Sequence, residues 1–387
     1  MNTITQGAIA LYIHWPFCIS KCPYCDFNSH IFTKVDNSLW LKAYKMEIDQ
    51  YKDFLSTKKI KTIFFGGGTP SLMDPDIVGE VIDYLSPYLQ KNVEITLEAN
   101  PNSSEYNKFA QFKKAGINRI SVGVQSFNEN DLQKLGRQHS VSEALDAISS
   151  AKEIFDKYSF DIIYTRENQS LGGWKGELED IMRYADGHIS LYQLTIEKAT
   201  PFYYMHKKGE LVLPESDLSA DMYLHSLEYL RDLGYRRYEI SNFAKEGFEC
   251  RHNLAYWNYD NYLGIGPGAH SRLSYDSTSI MAIMNYHKPE KWLNLVVNGV
   301  NPAQSQGLLN NEELIEEILM MGLRLETGID SKKLKEYLNL NLGEVLDLKA
   351  IEKFASGDFL VYDGRNLLLT DKGMLLHSFI VPRIIGR

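Results

Sequence analysis

Cys18-Ile-Ser-Lys-Cys22-Pro-Tyr-Cys25 holds three of the four cysteines in a chain of 387 residues. It follows directly on Ala10-Leu-Tyr-Ile-His14, a β-branched and aromatic run that reads as a strand. Three soft thiolates on so tight a loop suit an iron–sulfur cluster. A four-iron cube held by three cysteines leaves one iron without a local protein ligand. A structural zinc ion is the competing reading, since cysteine pairs two residues apart are its usual donors, but zinc asks for a fourth ligand.

Working outward, short β-rich runs alternate with helical periodicity from Ala8 to about Leu194. The strand candidates are ALYIH (10–14), KTIFF (61–65), VEITLE (93–98), RISVGV (119–124), FDIIY (160–164) and ISLYQL (189–194). This alternation is the pattern of parallel βα units, and six of them predict an α/β fold, an open six-stranded parallel (β/α)6 partial TIM barrel. Chemistry in parallel βα folds gathers at the C-terminal ends of strands.

Polar motifs stand at those ends. Gly66-Gly67-Gly68-Thr69-Pro70-Ser71 follows the second strand; consecutive glycines admit close backbone approach and offer N–H groups to an anion, and they equally suit a tight turn. Glu98 closes the third strand just ahead of Pro101 and either points into the barrel mouth or caps the next helix. Gln125 ends the fourth, Arg137 follows a short helix and can pair with a carboxylate, and Asp161 lies in the fifth. Tyr192, Gln193 and Glu197 on the sixth strand line a substrate cavity or its rim. His139 reads as a loop histidine, and His14, on the first strand, orients a ligand or packs in the core.

Downstream, an amphipathic helix is expected over Ser216 to Leu233. Cys250-Arg-His252-Asn-Leu-Ala-Tyr256-Trp257 and Leu263-Gly264-Ile-Gly266-Pro267-Gly268-Ala269-His270-Ser271 come next. Cys250 reads as a small buried apolar residue, although a thiolate there also suits heme or a fourth cluster position. From about Gln304 the pattern is two helices and a hairpin around Asp363-Gly364, resembling a winged-helix domain. The domain limits expected are 1–235, 236–303 and 304–387.

Composition sets bounds. The net charge is −9, with 41 Lys and Arg scattered among 50 Asp and Glu, which argues against a phosphate-tracking surface and against nucleic acid as a partner. Few cysteines outside the triad suit a reducing compartment. No apolar run reaches transmembrane length, and MNTITQGAIA lacks the basic start and apolar core of a signal peptide. The cytoplasm is the expected address, with peripheral membrane contact and a homodimer both compatible with the chain.

The CxxxCxxC loop resembles the radical S-adenosylmethionine (SAM) superfamily. YIHWPFC and CPYCDFNSH narrow the resemblance to the oxygen-independent coproporphyrinogen III oxidase group and, within it, to heme chaperones. The resemblance implies a [4Fe-4S] cluster on Cys18, Cys22 and Cys25, with SAM chelating the open iron through its amino and carboxylate groups. It assigns Tyr12, Tyr24, Gly67, Gly68, Thr69, Glu98, Gln125, Arg137 and Asp161 to SAM. It further implies cleavage of SAM to a 5′-deoxyadenosyl radical by an electron from the cluster. Where relatives continue the fifth strand with a Gly-Leu-Pro-Gly-Gln type of turn, this chain has Thr165-Arg166-Glu167-Asn168-Gln169.

HNLAYW (252–257) resembles the HNxxYW motif of the heme chaperones, which makes His252 a candidate axial heme ligand with Tyr256 and Trp257 packing on the porphyrin. The competing reading has these residues serving the barrel floor or SAM. The oxidases extend the triad to CxxxCxxCxC, whereas Phe27 occupies that position here, and they carry an extension before the first strand. The chain is therefore expected to bind heme and pass it to acceptor proteins. A porphyrinogen oxidase and a tRNA-modifying radical enzyme are the alternatives, the last disfavoured by the absence of a basic domain. The C-terminal module is expected to act as a substrate lid or partner surface.

Overall fold

β1 (Ala8–Trp15) buries six of its eight residues, the near-continuous apolar run of a strand covered on both faces. The structure, a computed structural model, describes residues 7–31, 35–276 and 278–386. Residues 1–6, read above for a signal peptide, lie outside the described residues. After β1 come β2 (Lys59–Gly67), β3 (Leu89–Ala99), β4 (Arg119–Gln125), β5 (Lys157–Tyr164) and β6 (His188–Gln193), each parallel to its predecessor. The crossovers carry α1 (Asn37–Gln50), α2 (Pro75–Leu85), α3 (Phe109–Lys114), α4 (Val141–Ile154) and α5 (Leu171–Met182). Local chemistry fixes several starts: Asp74 caps α2 ahead of Pro75, and Ser140 and Glu143 form a reciprocal capping box on α4. α6 (Ser216–Asp232) stands where amphipathic spacing predicted it.

The six expected strands form the middle of a larger sheet. Beyond β6 lie β7 (Arg236–Glu239) and β8 (Asn242–Ala244), both antiparallel additions at one edge. Beyond β1 lies β9 (Tyr262–Ile265), a seventh parallel strand, then β10 (His270–Leu273), β11 (Met281–Asn285) and β12 (Ala303–Leu308) in antiparallel order. The sheet runs open as β12-β11-β10-β9-β1-β2-β3-β4-β5-β6-β8-β7. Between the two edge groups in sequence, α7 (Arg251–Trp257) packs against β1 and β2. On the other face of β1, Trp40 of α1 stacks on Trp292 at 5.1 Å and packs edge-on against Trp15, an aromatic seam joining the first βα unit to the β9–β12 extension.

The C-terminal part holds α8 (Asn311–Gly322), capped by Asn310 with Glu313, α9 (Lys332–Leu338) and α10 (Leu348–Ser356). A three-stranded sheet of Ile329–Asp330, Leu360–Tyr362 and Asn366–Leu369 includes the expected hairpin, with Gly364 at φ +86° in its turn. Among the described residues no helix is long and apolar enough to cross a membrane.

Candidate functional site

The C-terminal ends of the parallel strands open into one cavity of about 460 Å³. Cys18, Cys22, Cys25, Tyr24, Gly67, Gly68, Thr69, Glu98, Gln125, Arg137 and Asp161 all line it, so nearly every residue singled out for the cluster and SAM meets there. Tyr192, Gln193 and Glu197 line it too, as does His139, whose Nε2 donates to the Val124 carbonyl at 3.0 Å. Tyr12 is the exception: it is absent from the lining, its ring packed behind Gly66.

The glycine turn is shaped by what lies behind it. Gly67 sits at φ +115°, and a Cβ there would fall 2.4 Å from Cε1 of His14 and 2.9 Å from the Trp15 carbonyl oxygen. At Gly68 a Cβ would meet the Phe17 carbonyl at 2.6 Å. Only glycine fits either place. The approach lets Gly68 N–H donate to Trp15 O at 2.7 Å and Thr69 N–H to Phe17 O at 2.8 Å, docking the turn against the start of the cysteine loop.

Each sulfur of the triad meets a polar group. Thr69 Oγ1 donates to Cys18 Sγ at 3.3 Å, Arg137 Nη1 to Cys22 Sγ at 3.6 Å, and Ser29 Oγ lies 3.9 Å from Cys25 Sγ. All four cysteines are free thiols, and burial pushes that of Cys18 up to about 11 against the pull of Thr69. Among the described residues no three His, Cys, Asp or Glu side chains gather closely enough to hold a single metal ion. Arg137 is the hinge of the site. Its Nη2 donates to Asn100 Oδ1 and to Gly123 O, both at 2.7 Å, while its Nε is buried and has no protein acceptor. An orphaned guanidinium N–H on a cavity wall fits a carboxylate-bearing ligand.

Two carboxyls face this cation across the cavity. Burial pushes Glu98 up to about 8, with repulsion from Asp161 adding to it and the Gly67 N–H, at 3.2 Å, opposing it. Burial likewise pushes Asp161 up to about 6, while hydrogen bonds from Ser190 and Ser121, the latter at 3.3 Å, hold it down. Such a pair suits a ligand carrying positive charge and N–H donors.

Asn100, Ser121 and Ser29 were not singled out from the sequence. Asn100 connects Thr69 Oγ1, at 3.1 Å, to Arg137, and its position in the same Glu98-Ala-Asn-Pro run was the available signal.

The 252–257 segment packs on the barrel floor, against β1 and β2. His252 is 1% exposed. Its Nδ1 is hydrogen-bonded to Thr62 Oγ1 at 2.9 Å and its Nε2 to Tyr256 Oη at 3.3 Å. Burial holds it down at about 3, a neutral imidazole. Trp257 is covered by the Arg324 guanidinium at 4.3 Å. None of the three borders the cavity, and the barrel-floor reading describes their packing. Cys250 is buried with Tyr238 and Ala244, apart from the triad, as a small apolar residue would be.

The family model described as the radical SAM superfamily matches residues 12–185, and that of the HemN C-terminal domain matches 309–376. The heme chaperone HemW of Haemophilus influenzae is 34% identical over 376 residues, 95% of this chain and 95% of that protein. The chain belongs to the HemW family of the radical SAM superfamily. The mitochondrial radical S-adenosyl methionine domain-containing protein 1 of Bos taurus is also 34% identical, over 98% of this chain and 87% of its own length. Among solved structures, the coproporphyrinogen III oxidase HemN from Escherichia coli superposes with a TM-score of 0.81 at 19% identity, over 98% of this chain and 91% of that one, a likeness of fold. Membership of the superfamily implies a [4Fe-4S] cluster and SAM.

Proposed function

We propose that this protein is a heme chaperone, binding heme and handing it to an acceptor protein, with a [4Fe-4S] cluster and SAM in the cavity beside the cysteine loop. The observation that carries this reading is the likeness, along 95% of both chains, to a protein named for that role. Phe27 points the same way: 61% exposed at the cavity mouth, it stands two residues past Cys25, where the oxidases have a further cysteine.

Cys18, Cys22 and Cys25 would hold the cluster, and Thr69, Arg137 and Ser29 would place hydrogen bonds around its ligating sulfurs. Gly67, Gly68 and Thr69 would take the amino end of SAM, Glu98 would accept its N–H groups, and Arg137 would pair with its carboxylate. Gln125, Asp161 and Tyr24 complete the wall. Bound together, cluster and SAM supply one-electron chemistry; the chain's own contribution is to orient SAM and exclude water. The division at 235/236 and 303/304, a cytoplasmic address, acceptor proteins as partners and a homodimer belong to the same reading.

The test is optical. Protein purified anaerobically and titrated with hemin is expected to develop a stoichiometric Soret band, and incubation with an apo-acceptor to move that band to the acceptor. A protein that takes up no heme refutes the reading. Conversion of coproporphyrinogen III to protoporphyrinogen IX with consumption of SAM would replace it with the oxidase.

A further inference from the structure

The helix that carries His252 leans on the same strands that end in the SAM turn. The ring of His252 stacks on Phe64 at 4.9 Å and lies 6.4 Å from Tyr12, whose strand neighbour in register is Phe64. Tyr12 then reaches the cavity wall in two ways. Its ring backs Gly66, where a Cβ would fall 2.8 Å from Cε2, and its hydroxyl is 2.9 Å from Nδ1 of His14. His14 in turn backs Gly67, whose N–H is given to Glu98.

The far nitrogen of His14, Nε2, lies 2.9 Å from the Asn28 carbonyl, which can only accept; Nε2 therefore carries the proton and Nδ1 accepts from Tyr12. The defined tautomer gives the chain of contacts a direction. Asn28 is itself pinned, its Nδ2 donating to Pro267 O and His287 O, both at 3.0 Å. The floor helix is thus joined by packed rings and two hydrogen bonds to the glycine turn on one side and the end of the cysteine loop on the other.

We infer that His252 is a positioning residue for the SAM pocket, acting through Tyr12 and His14 on the Gly66–Gly67 turn and on Asn28, and is not the heme ligand. This rests on the assignment of the cavity to SAM. With both nitrogens satisfied and the side chain sealed, His252 fixes the height of Tyr12, and through it the N–H that Gly67 presents to Glu98.

The test uses the full chain with its cluster reconstituted anaerobically, as wild type, His252→Ala, Tyr256→Phe and Tyr12→Phe. Calorimetry reads SAM affinity, electron paramagnetic resonance of the reduced cluster reads the change on adding SAM, and hemin titration reads heme stoichiometry and Soret position. Tyr12→Phe and Tyr256→Phe each remove one hydroxyl, and each is expected to weaken SAM binding roughly two- to tenfold, the range of one hydrogen bond. His252→Ala is expected to weaken it further and to blunt the resonance change, with iron content, heme stoichiometry and Soret position as in wild type. Wild-type SAM affinity in the two phenylalanine variants overturns the inference even where His252→Ala does not fold. Loss of the Soret band in His252→Ala with an intact SAM response overturns it in favour of heme ligation. A wild-type protein that shows no response to SAM overturns the SAM assignment and the inference together, whereas failure of the wild type to take up hemin refutes only the chaperone reading.

Discussion

Lowering the pH from 8 to 6 is expected to weaken SAM binding by roughly fiftyfold if Glu98, as proposed, receives the ligand's N–H donors, because that group then has to be ionised. Glu98 titrates at about 8 in the empty cavity, raised first by burial and then by Asp161. The ionised fraction is therefore about one half at pH 8 and roughly one hundredth at pH 6, and affinity for a ligand that requires the carboxylate falls in proportion. Asp161, titrating at about 6, steepens the loss only at the acid end. Free protein responds in the opposite sense: its native state keeps a proton on Glu98 that the unfolded chain releases above the ordinary value of 4.5, so stability declines as pH rises from 4.5 towards 8 and is level beyond. Anaerobic calorimetry at half-unit pH steps, in two buffers of different ionisation enthalpy, measures both the slope and the protons released. In Glu98→Gln most of the slope between pH 6 and 8 is expected to vanish, leaving the part that Asp161 supplies near pH 6. A flat affinity between pH 6 and 8, or an unchanged slope in Glu98→Gln, would refute the reasoning.

Gly67→Ala is expected to cost ~3 kcal/mol or more in thermal or denaturant unfolding, since a Cβ at φ +115° meets His14 at 2.4 Å and a backbone oxygen at 2.9 Å. Cys22→Ala should lower iron bound per chain after reconstitution, whereas Cys250→Ala, which truncates a buried residue outside the triad, should leave iron content unchanged and lose about 1 kcal/mol of stability. Arg324→Ala removes the cation at 3.1 Å from the 1%-exposed Glu239 and uncovers Trp257; a loss of about 2 kcal/mol and faster proteolysis near residue 304 are expected.

Most of the cavity was legible in the sequence because its residues lie in or just after strands marked by apolar runs, Leu11-Tyr-Ile in β1, Ile63-Phe-Phe in β2 and Ile162-Ile-Tyr in β5. What a strand end does not reveal is depth. Tyr12 and Gly67 belong to adjacent strands, yet one lies behind the wall and the other forms it, and three-dimensional register, Tyr12 opposite Phe64 and Trp15 opposite Gly67, decides between them. The packing of the HNLAYW helix was not legible for a related reason. Positions four apart put His252 and Tyr256 on one helical face, and sequence cannot say whether that face meets solvent, a porphyrin or the barrel. β9 was missed because Tyr262-Leu-Gly-Ile is short and runs into the glycines of 264–268, a punctuation that reads as loop.

The C-terminal part tests the expectation of a lid, and the geometry goes against it. Every residue that lines the cavity falls between Cys18 and Glu197. The C-terminal helices instead meet the strands and loops that follow the barrel: Glu317 pairs with Arg272 at 2.7 Å, Lys333 with Asp260 at 2.9 Å, Arg324 with Glu239 at 3.1 Å and Asp371 with Arg237 at 3.2 Å. Two of these pairs engage residues 1% and 4% exposed, where the partner left behind would be costly, so this docking is fixed and not a passing contact. A module anchored there reaches the floor helix at Trp257, which the Arg324 guanidinium covers. Whatever binds the C-terminal part is therefore expected to influence SAM through α7 and Tyr12, and not by covering the cavity mouth.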